Sequence, residues 1–283
     1  MSLQDTYTLS NGVKIPKLGL GTWLISETDT EQAVKEAIRL GYRHIDTAQD
    51  YGNEAGVGAA MKASGVSRDE LFVTTKLAAQ YKSYEGAAEA IDASLERMGL
   101  DYIDMMIIHS PQPWGEFGGD ERFFEGNRAW RALEEAYEAG RLHAIGLSNF
   151  TEQDIDNILS TCSVAPMVNQ ILAHVSNTPG ALIEYSQARG MLVEAYSPMG
   201  HGELFKNDEI AQMADKYGVS VPQLCIRYTL QLGLLPLPKT ANPAHMQNNA
   251  DVDFEIAAED MAVLEGMETI KDYGDASAFP VYQ

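Results

Sequence analysis

Hydrophobic residues fall along this chain in two alternating patterns. Short, nearly continuous apolar runs are followed by longer stretches in which apolar residues recur every three or four positions. The first pattern suits a strand covered on both faces, and the second suits a helix with one face in a core. Ahead of the alternation, residues 6–17 read as a β-hairpin about the turn signal Asn11-Gly12. Strands are then predicted at 18–23, 44–47, 71–76, 103–109, 144–148, 167–171, 192–196 and 234–238. Helices are predicted at 30–40, 54–63, 84–98, 126–139, 152–160, 180–188, 208–217, 221–232, 243–250 and 258–267, several closed by glycine, as at Gly41, Gly99 and Gly190.

Regular strand-then-helix alternation implies a parallel sheet with right-handed crossovers. Eight such units predict an α/β fold of the (β/α)8 TIM-barrel class with extra C-terminal helices. A doubly wound sheet is the main rival. It usually carries G-x-G-x-x-G after its first strand, and Leu18-Gly19-Leu20-Gly21-Thr22-Trp23 does not match. With no linker or low-complexity tract, residues 1–283 are expected to form a single barrel domain.

Composition narrows the function. The formal net charge is −21, from 41 acidic and 20 basic residues. A polyanion of that size repels nucleic-acid phosphates and anionic membrane surfaces, so neither is expected as a partner. Cys162 and Cys225 are far apart and form no C-x-x-C, so they suggest neither a disulfide framework nor a metal site. The N-terminus has no basic and apolar leader, and no apolar run reaches membrane-spanning length. A soluble, cytoplasmic protein is expected.

The candidate chemistry sits at the predicted strand ends, where a (β/α)8 barrel gathers its functional groups. Asp46, Lys76, His109, Ser148-Asn149, Gln170, Tyr196-Ser197 and Lys239-Thr240 all lie there, and Tyr51 follows Asp46 by five residues in a loop closed by Gly52. Taken singly, each has an ordinary structural explanation. Lys76 reads as a surface lysine, His109 as a satisfied core histidine, Asp46 and Ser148 as helix caps, and Tyr196 as a core aromatic. Together, a tyrosine, a lysine, an aspartate and a histidine at one barrel mouth form a proton-relay set. Tyrosine alone is a weak acid, with an ordinary pKa of about 10. A neighbouring cation would make it a usable donor.

The motifs carrying these residues resemble the aldo-keto reductases over nearly the whole chain. They are Gly-Leu-Gly-Thr-Trp at 19–23, Arg-His-Ile-Asp-Thr-Ala-x-x-Tyr-Gly-Asn-Glu at 43–54, Thr-Lys-Leu at 75–77 and Ile-His at 108–109. Further along come Ile-Gly-Leu-Ser-Asn-Phe at 145–150, Val-Asn-Gln at 168–170, Ala-Tyr-Ser-Pro at 195–198 and Leu-Pro-Lys-Thr at 237–240. The resemblance makes the hairpin a plug on the barrel floor. It implies NAD(P)H-dependent reduction of an aldehyde or ketone, with Tyr51 as general acid, Lys76 beside its phenol, Asp46 paired to Lys76, and His109 orienting the substrate oxygen. It implies that Tyr196 stacks on the nicotinamide and that Ser148, Asn149 and Gln170 bind its carboxamide. Thr22 and Trp23 then line the inner mouth, Ser197, Pro198 and Met199 pass the pyrophosphate, and Lys239, Thr240, His245 and Asn249 hold the adenosine end. Trp23, Tyr51, His109 and Trp114 are the expected substrate contacts. No metal is implied, and a monomer is expected.

Departures from the family pattern qualify this reading. His245 stands where many members place an arginine, and Asn248 where a glutamate is usual, so use of NADH beside NADPH is expected. Ala78 and Ser110 replace two aromatic wall residues. A wider, more polar pocket follows, rimmed by 80–83, 116–119 and the tail 273–283, and suited to a small aldehyde, an α-keto ester or a keto-sugar. Two other readings stay open: an aldolase using Lys76 as a Schiff-base nucleophile, and a non-catalytic NADPH-binding subunit.

Overall fold

The computed structural model describes residues 3–119 and 126–282. The chain opens with a two-stranded antiparallel hairpin, β1 (Thr6–Thr8) and β2 (Lys14–Pro16). Its connection is wider than the two-residue turn expected from Asn11-Gly12. Leu9 and Val13 remain hydrogen-bonded, and Gly12 turns the chain at φ 89°. The Asn11 side chain explains the difference. It accepts from Val13 N–H and donates to the His143 carbonyl, tying the loop down.

Eight parallel strands follow: β3 (Gly19–Gly21), β4 (His44–Asp46), β5 (Phe72–Leu77), β6 (Ile103–Ile108), β7 (Leu142–Ser148), β8 (Val168–Leu172), β9 (Leu192–Tyr196) and β10 (Leu235–Leu237). They pair in sequence order, and the ring closes where Gly21 bridges Lys239 and donates to the Pro238 carbonyl at 3.0 Å. Helices α1 (Glu27–Arg39), α2 (Glu54–Ala63), α3 (Tyr84–Met98), α4 (Gly126–Glu138), α5 (Glu152–Leu159) and α6 (Gly180–Ala188) connect them. The pair α7 (Asp208–Tyr217) and α8 (Val221–Gln231) precedes β10, and α9 (Pro243–Ala250) and α10 (Ala258–Glu265) follow it. The predicted (β/α)8 architecture is what the chain adopts.

Capping residues account for the few boundary differences. Helix α1 starts at Glu27 rather than at residue 30 because Ser26 caps it, its hydroxyl accepting from Asp29 N–H. Thr151 and Ser220 make full capping boxes at α5 and α8. The strands are buried along almost their whole length, as covering helices on every side require. Helices α2 and α3 touch so closely that a Cβ on Gly58 would lie 2.1 Å from the Met98 carbonyl oxygen. Among the described residues no helix is long and apolar enough to cross a membrane.

The tail folds into two 3-10 turns, Gly274–Ala278 and Pro280–Tyr282, that lie at the C-terminal mouth of the barrel. Gln283, the last residue of the expected rim tail, lies outside the described residues.

Candidate active site

The strand ends deliver their polar groups to a single place. Asp46 ends β4, Lys76 lies near the end of β5, and a 3-10 turn at Gln49–Tyr51 carries Tyr51 back over them. Gly52 closes that turn at φ 67°, a conformation that favours glycine. Lys76 is 1% exposed, and its ammonium spends all three donors inside the protein. It reaches Asp46 Oδ1 at 2.5 Å, the Thr47 carbonyl at 3.0 Å and the Tyr51 hydroxyl at 3.3 Å. Burial alone would lower the lysine's pKa, but Asp46 and Tyr51, through their charges and hydrogen bonds together, hold it above the ordinary value. A lysine held by three hydrogen bonds and charged is ill suited to Schiff-base attack, which speaks against the aldolase reading.

Tyr51 shows a different balance from the sequence expectation. Burial raises its pKa more than the Lys76 charge lowers it, so the net direction is upward. The phenol therefore keeps its proton at neutral pH. The His109 ring lies edge-on to Tyr51, with centroids 5.7 Å apart, and His109 is 8% exposed. Burial lowers its pKa below the ordinary imidazole value.

Behind this cluster runs a chain of buried polar groups. Gln170 donates one amide hydrogen to Asp46 Oδ2 at 2.9 Å and the other to Glu194 Oε2 at 2.7 Å. That leaves the Gln170 carbonyl oxygen to meet a ligand. Ser148 donates to the Gln170 main-chain carbonyl, and Asn149 donates to the His109 carbonyl and accepts from the Tyr196 hydroxyl at 2.7 Å. Asn149 and Ser197 hold φ values of 62° and 50°, backbone strain of the kind that gathers at functional sites.

Glu194 is a group the sequence reading missed. It is fully buried in β9, and burial with the nearby Asp46 charge pushes its pKa up to about 8. The folded state thus holds this proton more tightly than the unfolded chain does. Its contribution to stability is present at low pH and is lost as pH rises from 4.5 towards 8. Thermal unfolding should therefore show a downward slope in Tm over that window, and Glu194→Gln should flatten it. Identical profiles for the two proteins would contradict the assignment.

All of this opens on a cavity of about 660 Å³ at the barrel mouth. Its floor holds Asp46, Tyr51, His109, Ser148, Asn149, Gln170 and Tyr196. A limb extends past Ser197, Pro198 and Met199 to Lys239, Thr240, His245, Asn248 and Asn249. Lys239 places a cationic side chain in that far limb of a strongly acidic chain. A cationic end, a polar floor and a buried proton donor suit a long anionic dinucleotide beside an uncharged carbonyl.

Most expected site residues meet here. Thr22 does not reach the cavity. It is fully buried, with its hydroxyl on the Asp46 carbonyl, and Gly21 lines the wall instead. Trp23 and Trp114 line the mouth, and Ala78 and Ser110 are buried behind it. Asp50, His201 and Phe205, which no motif singles out, line the same cavity, as does Tyr282 from the expected rim tail. Tyr282 stacks on Trp23 at 6.1 Å and shares a 2.7 Å hydrogen bond with Ser197. Its place depends on how the tail returns, which no local motif encodes.

The fold and cavity define a (β/α)8 barrel with a polar site, including a buried phenol beside a lysine, at its C-terminal mouth. Comparison with known proteins agrees. The profile of the Aldo/keto reductase family matches residues 17–268. A glyoxal reductase of Bacillus subtilis (strain 168) is 40% identical over 268 residues, covering 94% of each chain. A 9,11-endoperoxide prostaglandin H2 reductase of Trypanosoma cruzi (strain CL Brener) is 38% identical over 272 residues, covering 94% of this chain and 93% of that protein. The crystal structure of a Bombyx mori aldo-keto reductase in complex with NADP superposes with a TM-score of 0.86 at 32% identity, covering 98% of each chain. The chain belongs to the aldo/keto reductase family. It is an NAD(P)H-dependent oxidoreductase that reduces carbonyl groups.

Proposed function

We propose that the chain reduces small, uncharged aldehydes and ketones with NADPH, and that Tyr51 is the general acid. The observation that carries this reading is the Lys76 amine, held by Asp46 and Thr47 at 3.3 Å from a phenol that opens on the cavity. Bound NADPH supplies the hydride that reaches the carbonyl carbon. Tyr51 gives its proton to the oxygen as negative charge develops there. The fixed Lys76 charge stabilises the phenolate left behind, and a preorganised charge in a dry site does this without reorganisation. His109 faces the same oxygen from the other side. The phenolate regains its proton from solvent after the alcohol leaves.

Ser148, Asn149 and Gln170 are the proposed carboxamide ligands, and Tyr196 the ring on which the nicotinamide stacks. Ser197 to Met199 would flank the pyrophosphate, and Lys239, Thr240, His245 and Asn249 the 2′-phosphate and adenine. Trp23 and Trp114 form the substrate walls. The glyoxal reductase likeness supports small aldehydes and dicarbonyls. The Asp50 carboxylate at the mouth disfavours carbonyls that carry an acid group.

The test is a panel of carbonyl substrates followed by NADPH and NADH absorbance. A single imidazole grips a phosphate less firmly than the arginine fork. NADPH should therefore be preferred by about tenfold to a hundredfold in kcat/KM, and His245→Arg should widen the gap. A preference of about 1,000-fold, roughly 4 kcal/mol, would contradict dual use.

A further inference from the structure

Asp50 lies at the middle of the Gln49–Tyr51 turn, one residue before Tyr51. One of its oxygens, Oδ2, accepts from the Trp114 indole N–H at 3.1 Å and lies 3.6 Å from His109 Nδ1. His109 Nδ1 is sealed from solvent and has no partner at hydrogen-bond distance. Its ring is also fenced by Trp114, edge-on at 4.9 Å, and by Tyr51. Because His109 lines the cavity and Nδ1 is sealed, Nε2 is the ring nitrogen left to meet a ligand.

A neutral imidazole carries one proton, on either nitrogen. A carboxylate beside Nδ1 rewards the form with the proton there, and Nε2 is then a bare lone pair. A lone pair cannot donate to a carbonyl oxygen. Ligand-free contacts of this kind are often long and tighten on docking. Burial would raise the Asp50 carboxyl, but the His109 and Trp114 contacts hold it below its ordinary value, so it is ionised.

We propose that Asp50 is a positioning residue that keeps the His109 proton on Nδ1, so that Nε2 must take up a second proton before it can donate to the substrate oxygen. Productive carbonyl docking is then linked to proton uptake. The added proton comes from solvent and stays on the imidazolium, while the proton transferred in the reaction comes from Tyr51. The titratable groups that face His109 are Asp50 and Tyr51 from the turn, Asp46 from β4 and Lys76 from β5. Asp50 and Asp46 favour the imidazolium and Lys76 opposes it. This inference rests on the carbonyl-reductase reading above and adds a proton requirement to it.

Two readouts test it. Nitrogen-15 NMR of the histidine-labelled protein, with His109 assigned by its loss in His109→Gln, should show the proton on Nδ1 in the free wild type. In Asp50→Ala it should move to Nε2, because buried Nδ1 then has no acceptor. For a neutral aldehyde, wild-type kcat/KM should fall about tenfold for each pH unit above the His109 titration, because only the imidazolium can donate from Nε2. Asp50→Ala should lose that limb. Asp50→Asn, which keeps an acceptor for Trp114, should show a smaller one, and Asp50→Glu should restore it in part. A wild-type His109 already protonated on Nε2 would overturn the proposal, as would an Asp50→Ala profile that superimposes on the wild type. If the wild type reduces no carbonyl, the reductase reading fails instead, and the NMR result still decides the role of Asp50.

Discussion

Tyr51→Phe should lower kcat by about 10³-fold while changing NADPH affinity by no more than about twofold. The substitution removes one oxygen and the only proton aimed at the substrate from this side. It keeps the ring that packs against His109 and lies 4.9 Å from the Lys76 ammonium. Lys76 keeps its bonds to Asp46 and the Thr47 carbonyl, so the fold should lose only about 1 kcal/mol. Steady-state kinetics beside a cofactor-binding titration measures both halves. Loss of cofactor binding together with turnover would make Tyr51 a structural residue rather than the acid.

Lys76→Met should be worse for the protein as a whole. The two side chains are similar in length, so the packing survives, but the Asp46 carboxylate is left buried at 3% exposure without its cation. Breaking one partner out of a buried pair costs about 3–5 kcal/mol. In a chain of this size that is a fall in Tm of roughly 10 °C. Activity should vanish as well, because nothing remains to stabilise the Tyr51 phenolate. The pair's stabilisation is complete below the ordinary lysine value of 10.5 and is lost only as pH rises past the raised folded value. A difference in Tm between wild type and Lys76→Met that holds steady across neutral pH, measured by calorimetry, is the expected result. An unchanged Tm would mean that water or another group compensates Asp46.

The repeating architecture and the inner cluster were legible in the sequence for the same reason. Strand period, helix period and strand-end chemistry are local patterns, and the barrel converts strand ends into neighbours. Lys76 lies 25 residues beyond Tyr51 and 30 beyond Asp46, yet the three side chains form one hydrogen-bonded unit. Ser26 was missed as a cap because the apolar period of α1 begins several residues later. The Asn11-Gly12 connection was read too short because Asn11 bonds to His143, far along the chain. The motif puts Thr22 at the mouth, but it follows the end of β3 and its buried hydroxyl donates to the Asp46 carbonyl in the wall. Asp50 matches no motif residue, and Tyr282 was legible only as part of a rim tail. One acts through a histidine 59 positions later and the other through a serine 85 positions earlier, contacts that only the folded chain reveals.

The most direct measurement mixes the wild-type protein, preloaded with one equivalent of NADPH, with excess small aldehyde in a stopped-flow absorbance experiment. The account predicts a single decay of the NADPH signal, one alcohol formed per NADPH consumed, and no such decay on the same timescale in Tyr51→Phe. Equal decays in the two proteins, or none in the wild type with NADPH demonstrably bound, would contradict it.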